Sequence, residues 1–137
     1  MTSRILDGVV VLDLTRFFSG PQSTLFLAGL GAEVVKIDDP RTGDPTAFAP
    51  PFVGPEGVGF ERRTDTDMGT AYLKRARSKK SATLNLKSPK GRETFLRMVE
   101  HADVVVENFS AGVADRLGIG YDTLREINPR LVYCALT

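Results

Sequence analysis

The sequence has few of the residues on which disulfide frameworks and metal sites depend. Its 137 residues include one cysteine, Cys134, and one histidine, His101. A single cysteine excludes an internal disulfide framework, and one cysteine with one histidine leaves too few soft ligands for a zinc site. We therefore expect a chain that folds without cross-links or a metal, with a reducing cytoplasm as its default location.

Long apolar runs and an excess of one charge are also missing. No stretch approaches the roughly 20 uninterrupted apolar residues that span a bilayer, and the N-terminus lacks a signal-peptide core, so we expect a soluble, unexported protein. The 18 basic residues are balanced by 17 acidic ones, so no global field draws the chain toward nucleic acid or a membrane. With 42% hydrophobic and 26% charged residues, the composition is typical of one globular domain, residues 1–137.

The beginning of the chain predicts a βαβ unit. The β-branched run at residues 9–14 is typical of a parallel strand covered on both faces, and residues 34–37 form a second such run. Residues 17–32 carry no charge, so we expect a buried helix there, with Ser19 as its cap and Gly31 as its stop. The strand ends and the first amides of such a helix form a crevice suited to phosphates.

Regular patterns resume after a long loop. Residues 39–69 are rich in glycine and proline, which predicts either a binding loop or a mobile segment. Further strands are expected at residues 81–86, 103–109 and 131–136, and further helices at residues 89–102, 113–117 and 121–127. This alternation predicts an α/β fold, a Rossmann-like three-layer parallel sheet with flanking helices. Because the sequence stops at a strand end, Thr137, we expect further site residues downstream.

A basic cluster precedes the third strand. Five cations fall within seven residues: Lys74, Arg75, Arg77, Lys79 and Lys80. The cluster is either a solvated surface or a clamp for a polyphosphate, since guanidinium forks and ammonium groups suit phosphate oxygens. Nucleic acid is not favoured, because no aromatic residues interleave with these cations to stack on bases.

Polar and aromatic residues follow the fourth strand. Asn108 and Phe109 leave its carboxyl end, where an amide can read a ligand and a ring can lie against one. Asn108 is equally suited to capping a turn. Arg116, on the short helix that follows, is either a surface arginine or a group that reaches the same edge.

Other chemically active residues do not form a catalytic pattern. His101 near a helix C-terminus and Cys134 within an apolar strand are interpreted as structural. Asp13 is positioned to hold backbone amides, and no paired carboxylates indicate acid-base catalysis. Asp38 falls where a dinucleotide-binding acid would, but residues 17–22 offer one glycine where that fingerprint needs three.

Segments spread over nearly the whole chain match one known family in order. They are residues 6–8, 11–15, 19–21, 30–37, 43–45, 79–81, 84–91, 102–109 and 128–133. Together they resemble the N-terminal part of the family III CoA-transferases, which include formyl-CoA and carnitine CoA-transferases and α-methylacyl-CoA racemase. The resemblance implies a Rossmann-like CoA-binding domain, CoA as a substrate with no tightly bound cofactor, and two longer subunits that interlock as a homodimer.

The resemblance also implies roles for seven residues. Those that would contact CoA are Phe18 and Ser19 at the first turn, Arg77 and Lys79 near the nucleotide and phosphates, and Asn108, Phe109 and Arg116 along the same groove. Formyl-CoA transferase has a polar residue where Phe18 stands and a basic one where Asp39 stands. Arg41 is therefore a candidate substitute in the phosphate contacts.

The catalytic residues that the resemblance implies lie beyond this sequence. In the transferases an aspartate attacks the acyl-CoA thioester, forms a mixed anhydride and then an enzyme-CoA thioester, and so moves CoA to a second carboxylic acid. In the racemases a histidine and an aspartate exchange the α-proton. We expect this chain to bind CoA and to be inactive alone. The alternatives are the racemase reaction, a non-catalytic CoA- or nucleotide-binding module, and a degenerate fragment with no ligand.

Overall fold

A computed structural model describes residues 4–136 as an α/β fold. The elements follow the chain as β1 (Val10–Asp13), α1 (Ser19–Gly29), β2 (Glu33–Asp38), a 3-10 helix (Pro45–Phe48), β3 (Phe52–Gly54), β4 (Gly57–Gly59), β5 (Met68–Gly69), α2 (Thr70–Ala76), β6 (Lys79–Thr83), α3 (Pro89–Val99), β7 (Val104–Glu107), α4 (Val113–Arg116), α5 (Tyr121–Ile127) and β8 (Val132–Ala135). Among residues 4–136, none of the helices has the length and hydropathy that a bilayer-spanning segment needs.

The main sheet has five strands in the order β6-β2-β1-β7-β8. Every neighbouring pair is parallel, which confirms the predicted fold class. This order is that of the first five strands of a doubly wound fold, in which the chain first builds outward from β1 on one side and then on the other. The carboxyl ends of β1 and β7 therefore lie side by side at the point where the order reverses.

The predicted βαβ unit is present, but its helix begins differently. Phe18 occupies the cap position of α1 without a side-chain hydrogen bond, and Ser19 is the first helical residue, so the expectation of a serine cap is wrong. Tertiary contacts hold the turn instead, because Asp44 and Asn108 accept from the preceding amides. Gly31 adopts φ +112°, as a left-handed helix stop requires.

Helix α1 is also less buried than its lack of charge predicted. Only the side that faces the sheet is covered, where Thr24 and Ala28 are buried. On the outer side Phe26 is 63% exposed and Leu30 is 45% exposed. The prediction of a buried helix is therefore wrong for the outer side of α1 within these residues.

The long segment after β2 is folded. The 3-10 helix is capped by Asp44, whose side chain accepts from the Thr46 amide. Strands β3, β4 and β5 then form a small antiparallel sheet in the order β4-β3-β5. The glycine and proline content of residues 39–69 concealed these elements because each strand is only two or three residues long.

Strand β6 begins two residues earlier than predicted. Lys79 and Lys80 pair with Val34 and Val35 of β2. The side chain of Lys79 is buried, whereas that of Lys80 reaches Glu33 at the surface. The polarity of the lysines concealed the start of the strand, because no apolar alternation marks it.

Helices α3, α4 and α5 cover the other face of the sheet much as the sequence predicts. The Ser88 hydroxyl caps α3 by accepting from the Gly91 amide at 3.0 Å. Phe95 and Val99 have no exposed surface, and they belong to the main apolar core. The buried members of this core are Leu12, Leu14, Ile37, Phe95, Val99, Ala102, Val105, Ala114, Ile119, Leu124 and Leu131.

Candidate functional site

A cleft of about 280 Å³ opens at the carboxyl edge of the main sheet. We call it the carboxyl-edge cleft; residues that follow β1, β2, β6 and β7 all contribute to its lining. Apolar lining comes from side chains such as Leu84 and Phe109, and the cations Arg16, Arg41 and Lys87 lie among them. Apolar walls with a few charged groups suit a ligand that carries a flat ring and phosphates.

The cleft lies where a parallel α/β sheet usually binds ligands. In open sheets of this kind the binding crevice is outside the carboxyl ends of the strands, next to the point where strand order reverses. Phe109, two residues beyond β7, lines the cleft directly. Of the seven predicted CoA-contacting residues, it is the one that the structure places in this lining.

An ion pair at the end of β2 also lines the cleft. The Asp39 Oδ1 atom accepts from the Arg41 amide at 2.9 Å and from Arg41 Nε at 3.3 Å, and Oδ2 accepts from Nη2 at 3.1 Å. These hydrogen bonds hold the pKa of the Asp39 carboxyl below its ordinary value, and Asp39 raises the pKa of Arg41. Arg41 therefore reaches the cleft already paired with a carboxylate.

Asn108 holds the turn between β1 and α1. Its Oδ1 accepts from the Arg16 amide at 2.8 Å, and its Nδ2 donates to the Arg16 carbonyl at 2.9 Å. The side chain of Asn108 therefore pairs with both the amide and the carbonyl of Arg16, in the way that a residue of a neighbouring strand pairs with the main chain. The structure favours the turn-holding interpretation of Asn108 over a direct contact with a ligand ring, because both of its polar atoms are occupied.

Phe109 is fixed by a buried carboxylate that the sequence analysis missed. Its amide donates to Glu107 Oε2 at 2.6 Å, and Tyr133 donates its hydroxyl to Glu107 Oε1 at 3.3 Å. Burial, and then the neighbouring Glu107 carboxylate, raise the pKa of Tyr133. An acidic residue ending an otherwise apolar strand is the signal that could have identified Glu107.

A set of buried charges lies beneath the turn between β1 and α1. We call it the ionic network; its members are Asp13, Lys36, Asp38, Asp44 and Lys79. Asp13 accepts from the Thr15 amide at 3.0 Å, which confirms the expectation that it holds backbone amides. The network is placed between the sheet and α1, because Asp13 is the register partner of Lys36 and both side chains point to that face.

The ammonium group of Lys79 donates all of its hydrogen bonds within the protein. Its ammonium donates to Asp13 Oδ2 at 2.9 Å, to the Pro21 carbonyl at 2.8 Å and to the Thr24 hydroxyl at 2.7 Å. Burial lowers the pKa of Lys79, while Asp13 acts in the opposite direction. All three ammonium protons have protein acceptors, so in this structure Lys79 has no donor left for a phosphate.

Lys36 was not identified from the sequence, although it joins three segments. Its ammonium donates to the Thr15 carbonyl at 2.7 Å and to Asp38 at 2.7 Å, and it lies 3.6 Å from Asp44. Asp38 Oδ1 is thereby held by a buried lysine, so this carboxylate belongs to the ionic network. A charged residue in the middle of an apolar strand was the available signal.

Phe18 and Ser19 are exposed at the start of α1. Phe18 is 65% exposed, and the Arg75 guanidinium lies 3.6 Å from its ring centroid. Arg75 itself is buried, and its Nη1 donates to the Ala71 carbonyl at 2.7 Å. The aromatic ring is therefore held in place by a cation–π contact while its outer surface stays accessible.

Arg77 and Arg116 lie in different places. Arg116 is exposed at the end of α4, one turn after Val113, which lines the carboxyl-edge cleft. Arg77 follows α2 and precedes β6, so it lies at the amino end of the sheet. There it lines a separate groove of about 590 Å³ together with Phe26 and Leu30.

The single groove expected from the sequence is therefore divided in the structure. Arg77 lies in the junction between α2 and β6, which is at the amino edge of the sheet. Lys79 is the first residue of β6, and its ammonium reaches Asp13 and the first turn of α1. Phe109 and Arg116 follow β7 and lie toward the carboxyl edge. The predicted residues separate because β6 runs parallel to β2, so that residues before β6 lie at the amino edge. A basic cluster in the sequence does not reveal this direction.

The family model for CoA-transferase family III matches residues 6–137. A succinyl-CoA:glutarate CoA-transferase from Homo sapiens is 41% identical over 96% of this chain and 28% of its own length. A succinyl-CoA:mesaconate CoA-transferase from Haloarcula marismortui is 45% identical over 96% of this chain and 31% of its own length. The solved structure of a CaiB/BaiF family protein from Brucella suis superposes with a TM-score of 0.86 at 37% identity, covering 99% of this chain and 34% of that one.

This chain thus spans about a third of the length of these relatives. The residues that the family model matches include β1, the lining of the carboxyl-edge cleft and β8. The predicted family is confirmed: the chain belongs to CoA-transferase family III.

Proposed function

We propose that this chain forms the coenzyme A-binding part of a CoA-transferase and that the nucleotide of CoA binds in the carboxyl-edge cleft. The observation that carries this proposal is the combination of Phe109 with Arg16, Arg41 and Lys87 at the carboxyl ends of parallel strands. An adenine ring needs a flat apolar contact, and the phosphates need cations. The cleft supplies both within one space.

Each proposed contact has a physical role. Phe109 packs against the adenine, Arg16 and Lys87 attract the phosphates, and Arg116 adds a cation at the end of α4. Phe18 and Ser19 lie along the path of the pantetheine arm at the start of α1. Asn108 acts through Arg16, whose main chain it holds on both sides.

In the complete protein, we propose that this binding serves the transfer of CoA from an acyl-CoA to a carboxylic acid. The relatives named above are CoA-transferases that act with succinyl-CoA. The residues described here are proposed to bind and orient the coenzyme, and the carboxylate that attacks the thioester is proposed to lie outside residues 1–137. The complete protein is proposed to be a cytoplasmic homodimer with interlocking subunits.

Calorimetric titration of CoA into the purified chain tests the site. We expect binding with micromolar or weaker affinity. Phe109→Ala should weaken it about tenfold, because stacking of a base on an aromatic ring is worth about 1–3 kcal/mol. Arg116→Ala should weaken it severalfold by removing one cation near the phosphates.

Arg77→Ala is the matched control for Arg116→Ala. It also removes one arginine charge, but from the separate groove at the amino edge, which Phe26 and Leu30 line. Its affinity for CoA should equal that of the unaltered chain. A loss with Arg77→Ala and none with Phe109→Ala or Arg116→Ala would move the nucleotide to the other edge. The unaltered chain is expected to show no CoA exchange between succinyl-CoA and glutarate, and measurable turnover would contradict this part of the proposal.

A further inference from the structure

We propose that Asp39 determines specificity at this site, by holding Arg41 in an ion pair that opposes binding of the 3′-phosphate on the ribose of CoA. This inference rests on the proposed function, since it concerns a nucleotide in the carboxyl-edge cleft. It predicts that the cleft distinguishes poorly between CoA and dephospho-CoA, which carries a free 3′-hydroxyl.

The position of the pair at the end of β2 supports this role. In doubly wound folds, an acid that follows this strand accepts hydrogen bonds from ribose hydroxyls, whereas a nearby arginine accommodates a ribose phosphate. Here both residue types line the same cleft. Asp39 and Arg41 therefore favour opposite forms of the ribose.

The exposure of the two side chains shows which one is free to change partner. The Asp39 side chain is 14% exposed, whereas that of Arg41 is 61% exposed. The Asp39 carboxylate is also held by the Arg41 amide, a contact that does not depend on the guanidinium. A phosphate can therefore draw the guanidinium away from Asp39, but the carboxylate stays at the cleft.

The charges around the cleft determine how the ion pair affects binding of a 3′-phosphate. Among the described residues, the side chains of Arg16 and Lys87 have no ion-pair partner, whereas the charge of Arg41 is matched by Asp39. A 3′-phosphate that gains Arg41 either takes the guanidinium from Asp39 or binds its remaining N–H donors, and in both cases it lies near the Asp39 carboxylate, which repels it. A ribose with a free 3′-hydroxyl leaves the pair intact and can donate to the unused lone pair of Asp39 Oδ2.

The test compares CoA with dephospho-CoA by calorimetry in one buffer, using the whole chain. Asp39→Asn should tighten CoA about tenfold, because it removes the negative charge and frees Arg41, and it should leave dephospho-CoA unchanged or weaker. Arg41→Ala should weaken CoA more than dephospho-CoA. Asp65→Asn is the matched control: it removes one exposed carboxylate outside the cleft lining, and it should shift neither ligand.

The outcomes separate this inference from the function on which it rests. If the unaltered chain binds both ligands and Asp39→Asn shifts them by the same factor, or shifts neither, Asp39 does not sense the phosphate and only this inference fails. If the unaltered chain binds neither ligand, the proposed function fails as well. Urea unfolding of Asp39→Asn should match the unaltered chain, which would show that any change in affinity is not a loss of folding.

Discussion

The two faces of the main sheet are packed in opposite ways. The face toward α3, α4 and α5 is covered by a continuous apolar core, which includes Phe95, Val99 and Leu124. The face toward α1 has a small apolar cluster around Val11 and Val34, and beyond it the ionic network. The first face stabilises the domain by burying apolar surface, and the second positions its loops through charged hydrogen bonds.

The ionic network is important for the proposed binding site, because it contacts the turn between β1 and α1 at the carboxyl edge of the sheet. Lys36 and Asp44 contact the main chain of residues 15 and 17 in the turn before α1. A buried ion pair is weak support for stability, since the desolvation of both charges offsets their attraction. Its effect is geometric: each charge must stay with its partner, and the turn is fixed as a result.

The largest expected effect is on the apolar face. Phe95→Ala should lower the free energy of unfolding by about 4 kcal/mol, because a fully buried aromatic ring is lost and a cavity remains. Urea denaturation followed by circular dichroism measures the change. Phe95→Leu keeps most of the volume and should lose clearly less; equal losses would show that cavity formation is not the cause.

A somewhat smaller effect is expected on the ionic face. Lys36→Met should lower the free energy of unfolding by about 3 kcal/mol, because it leaves Asp38 and Asp44 without their buried ammonium. The loss should fall at the lower end of the usual range, since Asp44 keeps the Thr46 amide and hydroxyl as donors.

The double variant Lys36→Met/Asp38→Asn sharpens this comparison. It should recover part of the stability lost in Lys36→Met, because one of the two uncompensated carboxylates is gone. No apolar pair on the other face should show such a rescue. If the double variant is less stable than Lys36→Met, unpaired charge is not the source of the loss.

The smallest effect is a change in pH dependence. An unfolded tyrosine loses its proton near pH 10, whereas burial and Glu107 raise the pKa of Tyr133 in the folded chain. Above about pH 10 the folded state then binds more protons than the unfolded state, so the free energy of unfolding falls as pH rises. Tyr133→Phe removes this contribution and should make the fall shallower.

Urea denaturation at a series of pH values measures this slope. Near pH 8, where the hydroxyl is protonated in both states, the variant should differ from the unaltered chain only by a constant of about 1 kcal/mol for the lost hydrogen bond. Identical slopes above pH 10 would contradict the assignment. Tyr72, whose pKa is also raised by burial, should account for a remaining decline.

The sequence alone predicted most of the apolar half of the molecule. Helix α5 has the predicted bounds, and the strands around β1 and β7 lie within the predicted runs. These elements could be predicted because their side-chain periodicity is local and strong. The small sheet within residues 39–69 was missed, because its strands are too short to show a period.

The candidate site could be predicted only in part. The sequence indicated that residues after β7 reach the carboxyl edge, and Phe109 lines the cleft there. It could not show that the protons of Lys79 are taken up by Asp13 and its neighbours, or that Arg77 lies at the opposite edge. A cationic residue looks the same in sequence whether its partner is a phosphate or a buried carboxylate.

The sequence by itself determined where the main-sheet strands and helices α1, α3, α4 and α5 lie along the chain, the apolar face of the sheet and the family, because each depends on patterns read along one stretch of chain. Only the tertiary structure decided which charges are paired and which remain available at the cleft. Pairing depends on strand order and register, which bring Asp13, Lys36 and Lys79 together from three separate strands.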